Sequence, residues 1–215
     1  MEKYQREFIE FAISRNVLCF GDYTLKSGRK SPYFFNSGLF NDGYSLAQLG
    51  HYYANAIKAS DLPCDMLFGP AYKGVPLAAA TAVAFATTFN LNLPFCFNRK
   101  EIKDHGEGGA TFGAPLKGNV IIVDDVISAG TSVNISVDII NRSGAIPAGV
   151  AVAMDRQERG TGTLSAVQEV EQRHKIRVIS IITLDNMIEY LETITAMQTN
   201  LEKIRQYRKE YGVGI

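Results

Sequence analysis

This 215-residue chain has no excess of charge of either sign: 22 Lys and Arg balance 22 Asp and Glu, for a formal net charge of zero. That balance leaves no electrostatic footprint for nucleic acid. Long apolar runs are missing too. None approaches the roughly 20 residues a membrane span needs, so neither a nucleic-acid nor a membrane partner is expected. The opening MEKYQREFIEFAISRN carries acids and lacks an apolar signal core, and it reads as a mature amphipathic helix. Cysteine is scarce: Cys19, Cys64 and Cys96 are odd in number, widely spaced and set among apolar residues. They match no disulfide framework and no metal-ligand spacing, so buried thiols in a reducing cytoplasm are expected. No GxxxxGK[ST] loop occurs, which excludes a Walker A site. Internal repeats and low-complexity segments are also absent.

What the chain does contain is alternation. A Gly- and Tyr-rich stretch from Gly21 to Gly43 predicts short strands and turns. Leu46, Leu49, Tyr53, Ala56 and Ile57 share one face of a helix over 45–59. Met66 to Phe68 reads as a short buried strand stopped by Gly69-Pro70, and Pro76 opens an Ala-rich helix to Phe89. Strands are predicted over 93–97, from Val120, over 149–154 and over 176–182, and helices up to Ser143, over 164–174 and, after Ile182, mostly to Tyr211. The polar, glycine-rich segment 99–113 is expected to be a long loop. Strands alternating with helices predict an α/β fold with a mainly parallel sheet flanked by helices, its turn-rich N-terminal part capping one edge.

The segment most telling about chemistry is Val120 to Val133, VIIVDDVISAGTSV. A β-branched apolar run, read as a strand buried on both faces, ends in Asp124 and Asp125. A turn of Val126, Ile127, Ser128, Ala129, Gly130, Thr131 and Ser132 follows before a helix begins. In open α/β sheets ligands bind where such strands end. Ionised aspartates accept hydrogen bonds only, which suits vicinal sugar hydroxyls. Successive backbone N–H groups at a helix N-terminus suit a phosphate monoester. No GxGxxG follows this strand, so it is not a dinucleotide fingerprint.

Two further segments carry cations. Gly69 to Gly74 follows a strand end and places Lys73 among small, turn-forming residues, as a second anion site would require. Arg99, Lys100, Lys103 and His105 precede Gly106, Gly108 and Gly109, which fits a cationic lid on a flexible stem. His105-Gly106-Glu107 matches the H-x-E of zinc deaminases, but no P-C-x-x-C completes that site, so metal binding there is rejected.

With these motifs the chain resembles the type I phosphoribosyltransferases, and over nearly its whole length the bacterial members that use orotate. The matching segments are TLKSGRKSPYFFN (24–36), LFGPAYKG (67–74), FNRKEIKDHGEGG (97–109), the Val120 motif and DRQERG (155–160). Ser128 stands where the family commonly has Thr, keeping the hydroxyl and losing the methyl. The resemblance implies a type I phosphoribosyltransferase fold with a hood over the base site from about 1–40 and 155–165 and a mobile loop over about 99–113. It implies Mg2+-dependent transfer of ribose 5-phosphate from phosphoribosyl pyrophosphate to orotate, in pyrimidine biosynthesis. Catalytic roles fall on Lys100, Lys103, Asp124 and Asp125. Phosphoribosyl pyrophosphate contacts fall on Lys26, Tyr72, Lys73, Arg99, Lys100, Lys103, His105 and residues 124–132. Orotate contacts fall on Lys26, Phe34, Phe35, Ser128 and Arg156, the last as a bidentate partner of the orotate carboxylate.

The metal is expected mainly on substrate oxygens and water, with no protein cage. A non-proline cis peptide is implied at Ala71-Tyr72, and a homodimer in which the loop completes the neighbour's site. Two other readings keep the same phosphate loop: transfer to another base, and a non-enzymatic sensor of phosphoribosyl pyrophosphate. Lys100, Lys103 and His105 speak against the sensor, because affinity alone needs no leaving-group chemistry.

Overall fold

The computed structural model describes residues 1–25, 27–103, 109–160 and 162–213; the side chains of 100–103 and 109 lie outside that description. Lys26 and His105 therefore lie outside the described residues, and of Lys100 and Lys103 only the backbone is described.

Six strands form one sheet in the order β5-β4-β3-β6-β7-β8, built from β3 (Met66–Gly69), β4 (Phe95–Lys103), β5 (Gly109–Gly113), β6 (Asn119–Val123), β7 (Ile146–Asp155) and β8 (Arg177–Thr183). All neighbours are parallel except β4 and β5. Period-two alternation sorts the central side chains onto two faces. Leu67, Ile121, Val123, Ala151 and Ala153 face a core shared with α1 (Lys3–Ser14), α2 (Gly43–Ala59), α3 (Gly74–Phe89), α6 (Leu184–Glu192) and α7 (Gln198–Tyr211). Met66, Phe68, Val120, Ile122, Val150 and Val152 face the opposite core under α4 (Thr131–Arg142) and α5 (Ala166–His174). Burial on both faces explains why these strands read as unbroken apolar runs. Among the described residues no helix is long and apolar enough to cross a membrane.

The loop expected over 99–113 is corrected. β4 continues to Lys103 and pairs antiparallel with β5, with Asn98 opposite Thr111 and Lys103 opposite Gly109. Charge hid the outer part of β4 from the periodicity: past Phe97 it runs beyond β3 and pairs only with β5, and a strand with one side unpaired tolerates lysines and arginines.

A separate two-stranded sheet, β1 (Leu18–Thr24) and β2 (Lys30–Phe35), accounts for the Tyr- and Gly-rich N-terminal stretch. Arg29 pins it to the segment after β7, donating to the Arg159 and Gly160 carbonyls at 2.8 and 3.1 Å. Tyr33 packs edge-on against Tyr207 of α7. The C-terminal helix thus joins this cap, a contribution the sequence reading did not assign to it.

Candidate functional site

Chain order places the site. From β3 the chain proceeds through α3 to β4 on one side, whereas from β6 it proceeds through α4 to β7 on the other. The carboxyl ends of β3 and β6 therefore flank a topological switch point, the crevice in which open α/β sheets bind ligands.

Asp124 and Asp125 stand at the end of β6, each 7% exposed. The Asp124 amide donates to Ala151 O, the Asp125 amide to Asp124 Oδ1, and the Tyr53 hydroxyl to Asp124 O at 2.7 Å. Burial pushes the Asp124 carboxyl up to about 6, against the pull of the Asp125 amide. Across the crevice the turn after β3 brings Lys73 Nζ to 2.6 Å from Asp125 Oδ2, which also accepts from Ser37 Oγ at 2.7 Å. This turn lies tight against β6: a Cβ on Gly74 would stand 2.7 Å from Val123 O. Its outer limb is fixed by Ala71 N donating to Asn98 Oδ1 at 2.7 Å, and the Ala71-Tyr72 peptide is cis. Tyr72 is 70% exposed.

Residues 126–132 curl from Asp125 into α4 around a cavity of about 70 Å3 lined by Asp124 and 126–133. Gly130, at φ 69°, makes the turn as the helix N-cap, in a left-handed conformation that favours glycine. α4 has no side-chain cap, so its first amides remain available to an anion, where the helix dipole favours negative charge. Ser128, Thr131 and Ser132 are exposed beside them.

A cavity of about 810 Å3 runs from Ile127, Ser128 and Ala129 to Arg29, Arg156 and Glu158. Arg156 stacks 4.2 Å above the Tyr33 ring. Its Nε donates to Glu158 Oε1 at 2.8 Å, and its Nη2 lies 2.7 Å from the same oxygen and 3.2 Å from Ser31 Oγ. Glu158 Oε1 also accepts from the Tyr33 hydroxyl at 3.0 Å. The side-on edge of the guanidinium is therefore occupied within the chain, and Tyr207 of α7 also lies close to it.

The structure thus brings together Lys73, Asp124, Asp125 and 126–132 at one end and Ser128 with Arg156 at the other. Phe34 and Phe35 are placed differently. Phe34 is 40% exposed and stacks on Tyr23, and Phe35 packs against Phe8 in the core. Neither lines the Arg156 cavity. Arg99 lies 5.4 Å above the Phe112 ring on the hairpin, its Nη1 buried and without a hydrogen-bond partner among the described residues. Sequence reading missed Ser37, Tyr53, Asn98 and Glu158, which reach the site from distant segments; Asn98, inside FNRKEIKDHGEGG, and Glu158, inside DRQERG, lay in matching segments but were given no role.

Comparison with known proteins agrees with this geometry. A family model described as a phosphoribosyl transferase domain matches residues 44–180. An orotate phosphoribosyltransferase of Yersinia enterocolitica is 57% identical over 99% of this chain and its own full length. The crystal structure of the Francisella tularensis orotate phosphoribosyltransferase superposes with a TM-score of 0.88 at 42% identity, covering 96% of this chain and 99% of that one. The Mycobacterium tuberculosis enzyme in complex with 5-phospho-alpha-D-ribosyl 1-diphosphate shares the fold at 20% identity, with a TM-score of 0.62 over 85% of this chain and 98% of that one. The chain belongs to the phosphoribosyl transferase domain family and, within it, to the orotate phosphoribosyltransferases.

Proposed function

We propose the following division of labour for the transfer of ribose 5-phosphate from phosphoribosyl pyrophosphate to orotate. The observation that carries it is the meeting of opposite charges at the switch point: Lys73 from one strand end, Asp125 and the buried Asp124 from the other, beside an uncapped helix terminus. The amides and hydroxyls of 126–132 take the 5-phosphate. Asp124 and Asp125 accept from the ribose hydroxyls. Lys73 leaves Asp125 for the diphosphate, with Arg99 and the backbone around Tyr72 beside it. A ring nitrogen of orotate bonds to the anomeric carbon as the bond to the diphosphate oxygen breaks; pyrophosphate departs with the electron pair and takes up the proton that the ring nitrogen gives up. Cations at that oxygen and carboxylates under the cation-like ribose lower the barrier in a site that excludes water.

Lys100, Lys103 and His105, at and beyond the end of β4, supply the remaining leaving-group cations by family resemblance, and Lys26 stands with them between the base and the diphosphate. Orotate lies in the cavity between Ser128 and Arg156, its carboxylate on the open edge of the guanidinium; the family resemblance adds Phe34 and Phe35 to the base end, although neither lines this cavity here. Mg2+ would be held mainly by hard oxygens of the diphosphate and the ribose and by water, where it would neutralise charge on the departing group, and Asp124 and Asp125 would act on it through ribose hydroxyls and water.

The enzyme works as a homodimer in the cytoplasm, the 99–113 hairpin of one subunit completing its neighbour's site and residues 1–40 and 155–165 forming the hood. Burial pushes the Cys64 and Cys96 thiols up to about 12, which suits inert, reduced cysteines.

The test is to follow orotate's ultraviolet absorbance after adding phosphoribosyl pyrophosphate and Mg2+. Loss of the orotate signal with stoichiometric pyrophosphate supports the reading, and an unchanged signal in a saturated mixture contradicts it. Mixing a loop variant with an Asp124/Asp125 variant tests the shared site: activity recovered on mixing supports it, and none recovered counts against it.

A further inference from the structure

We propose that Glu158 is the positioning residue for Arg156 and that it sets the enzyme's selectivity for orotate by fixing which edge of that guanidinium faces the base. This rests on the assignment of Arg156 to the base end made above.

The arrangement is built rather than incidental. Glu158 Oε1 gathers three donors: Arg156 Nε at 2.8 Å, Arg156 Nη2 at 2.7 Å and the Tyr33 hydroxyl at 3.0 Å. Arg29 Nη1 stands 3.9 Å from Oε2. Tyr33 is fully buried and lies flat beneath the guanidinium, and Ser31, 2% exposed, meets Nη2 at 3.2 Å.

The backbone is held with equal care. Gln157, between the two residues, adopts φ 51°, a left-handed conformation uncommon for a non-glycine residue. Its side-chain amide donates to Asp185 Oδ2 at 3.0 Å and accepts from Asp185 N at 2.9 Å, fastening the turn to α6.

A free arginine side chain has many rotamers and two edges able to fork onto a carboxylate. Here one carboxylate of the chain already occupies the side-on edge and one ring covers a face. With the Nε/Nη2 edge held by Glu158, a ligand is met from the Nη1 end. Orotate's carboxylate is thereby met from one direction, which orients the ring for attack at the anomeric carbon. Glu158 also offsets the charge of Arg156, so an anion gains there from alignment more than from net attraction.

Steady-state kinetics of E158A, E158Q, R156A and R156A/E158A test this, with Michaelis constants taken for both substrates. E158A loses a charged hydrogen-bond anchor, and its KM for orotate rises about 10–100-fold, while that for phosphoribosyl pyrophosphate changes by less than about twofold. E158Q keeps an acceptor oxygen toward Nε and returns the orotate KM to within about threefold of the parent. In the R156A background the Glu158 substitution adds nothing further, because the two residues act as one unit.

Orotate binding that tightens in both E158A and E158Q overturns the proposal, since Glu158 then acts as an electrostatic brake. So does an equal rise in both Michaelis constants, or an E158A effect undiminished in the R156A background. If E158A does not fold, E158D withdraws the carboxylate by one methylene at unchanged charge; a parent-like orotate KM for E158D overturns the proposal and an increase supports it. A parent-like orotate KM for R156A itself instead removes the base-end assignment on which the proposal rests.

Discussion

Lys73 and Asp125, 52 residues apart in the chain, meet with Nζ 2.6 Å from Oδ2 across the crevice between β3 and β6. Each neutralises the other where a polyanionic sugar is to bind, so the pair is a stand-in for the ligand at both of its ends. In the division of labour proposed above, binding exchanges this contact for a diphosphate on the lysine and a ribose hydroxyl on the aspartate.

Lys73→Gln removes the cation and keeps a polar side chain of similar length. The KM for phosphoribosyl pyrophosphate rises about 10–100-fold, the scale of one hydrogen bond to a charged group, while the orotate KM holds. Steady-state kinetics with each substrate varied in turn checks this.

Asp124 makes activity and stability respond to pH in opposite directions. With its carboxyl pushed up to about 6 by burial from an ordinary 3.8, the folded protein binds more protons than the unfolded chain between those two values. The contribution of this group to stability is therefore full below about pH 4 and is lost as pH rises through 6. Asp124→Asn removes a cost on the order of 2–3 kcal/mol at pH 7.5, so its Tm exceeds the parent's there and the gain disappears near pH 4. Turnover falls about 10²-fold or more, and the parent's activity shows an acid limb with an apparent pKa near 6. Thermal melts and rate profiles across pH 4–8 check both halves.

Gly74→Ala tests the packing that sets Lys73 against β6. The added Cβ stands 2.4 Å from Pro70 Cδ, 2.7 Å from Val123 O and 2.9 Å from Gly69 C, inside any ordinary contact and against a rigid ring and two backbone atoms. The turn shifts away from the strand end, and kcat/KM for phosphoribosyl pyrophosphate falls at least about tenfold, because misplacement by about 1 Å is costly in a preorganised site. Kinetics together with a crystal structure of the variant checks this.

Lys103→Ala, on the hairpin, lowers turnover by about 10²–10³, the scale of one lost transition-state donor. A steady-state assay decides it, and near-normal turnover removes the hairpin from the mechanism.

The parts of the site that were legible in the sequence are the local ones. Residues 120–133 encode a buried strand, two acids and a helix start within one contiguous segment, and the structure holds them in that order. Ser37, Tyr53 and Asn98 carry no comparable signal. Their roles come from contacts with Asp125, with Asp124 and with the 70–74 turn, which only the folded topology supplies. The start of β4 was legible, but its continuation past Phe97 and its pairing with β5 escaped, because there the strand runs beyond β3 and carries charge in place of apolar alternation. Phe34 and Phe35 show the limit from the other side. Adjacent residues on a strand point opposite ways, so one ring is exposed against Tyr23 while the other joins the core at Phe8.

A crystal structure of the protein with phosphoribosyl pyrophosphate and Mg2+ decides where the sugar diphosphate is held. The expected result is the 5-phosphate within hydrogen-bond reach of the backbone amides of 127–132, the ribose hydroxyls on Asp124 and Asp125, and Lys73 moved from Asp125 to the diphosphate. A donor lodged away from residues 124–132, with the Lys73–Asp125 contact intact, would contradict it.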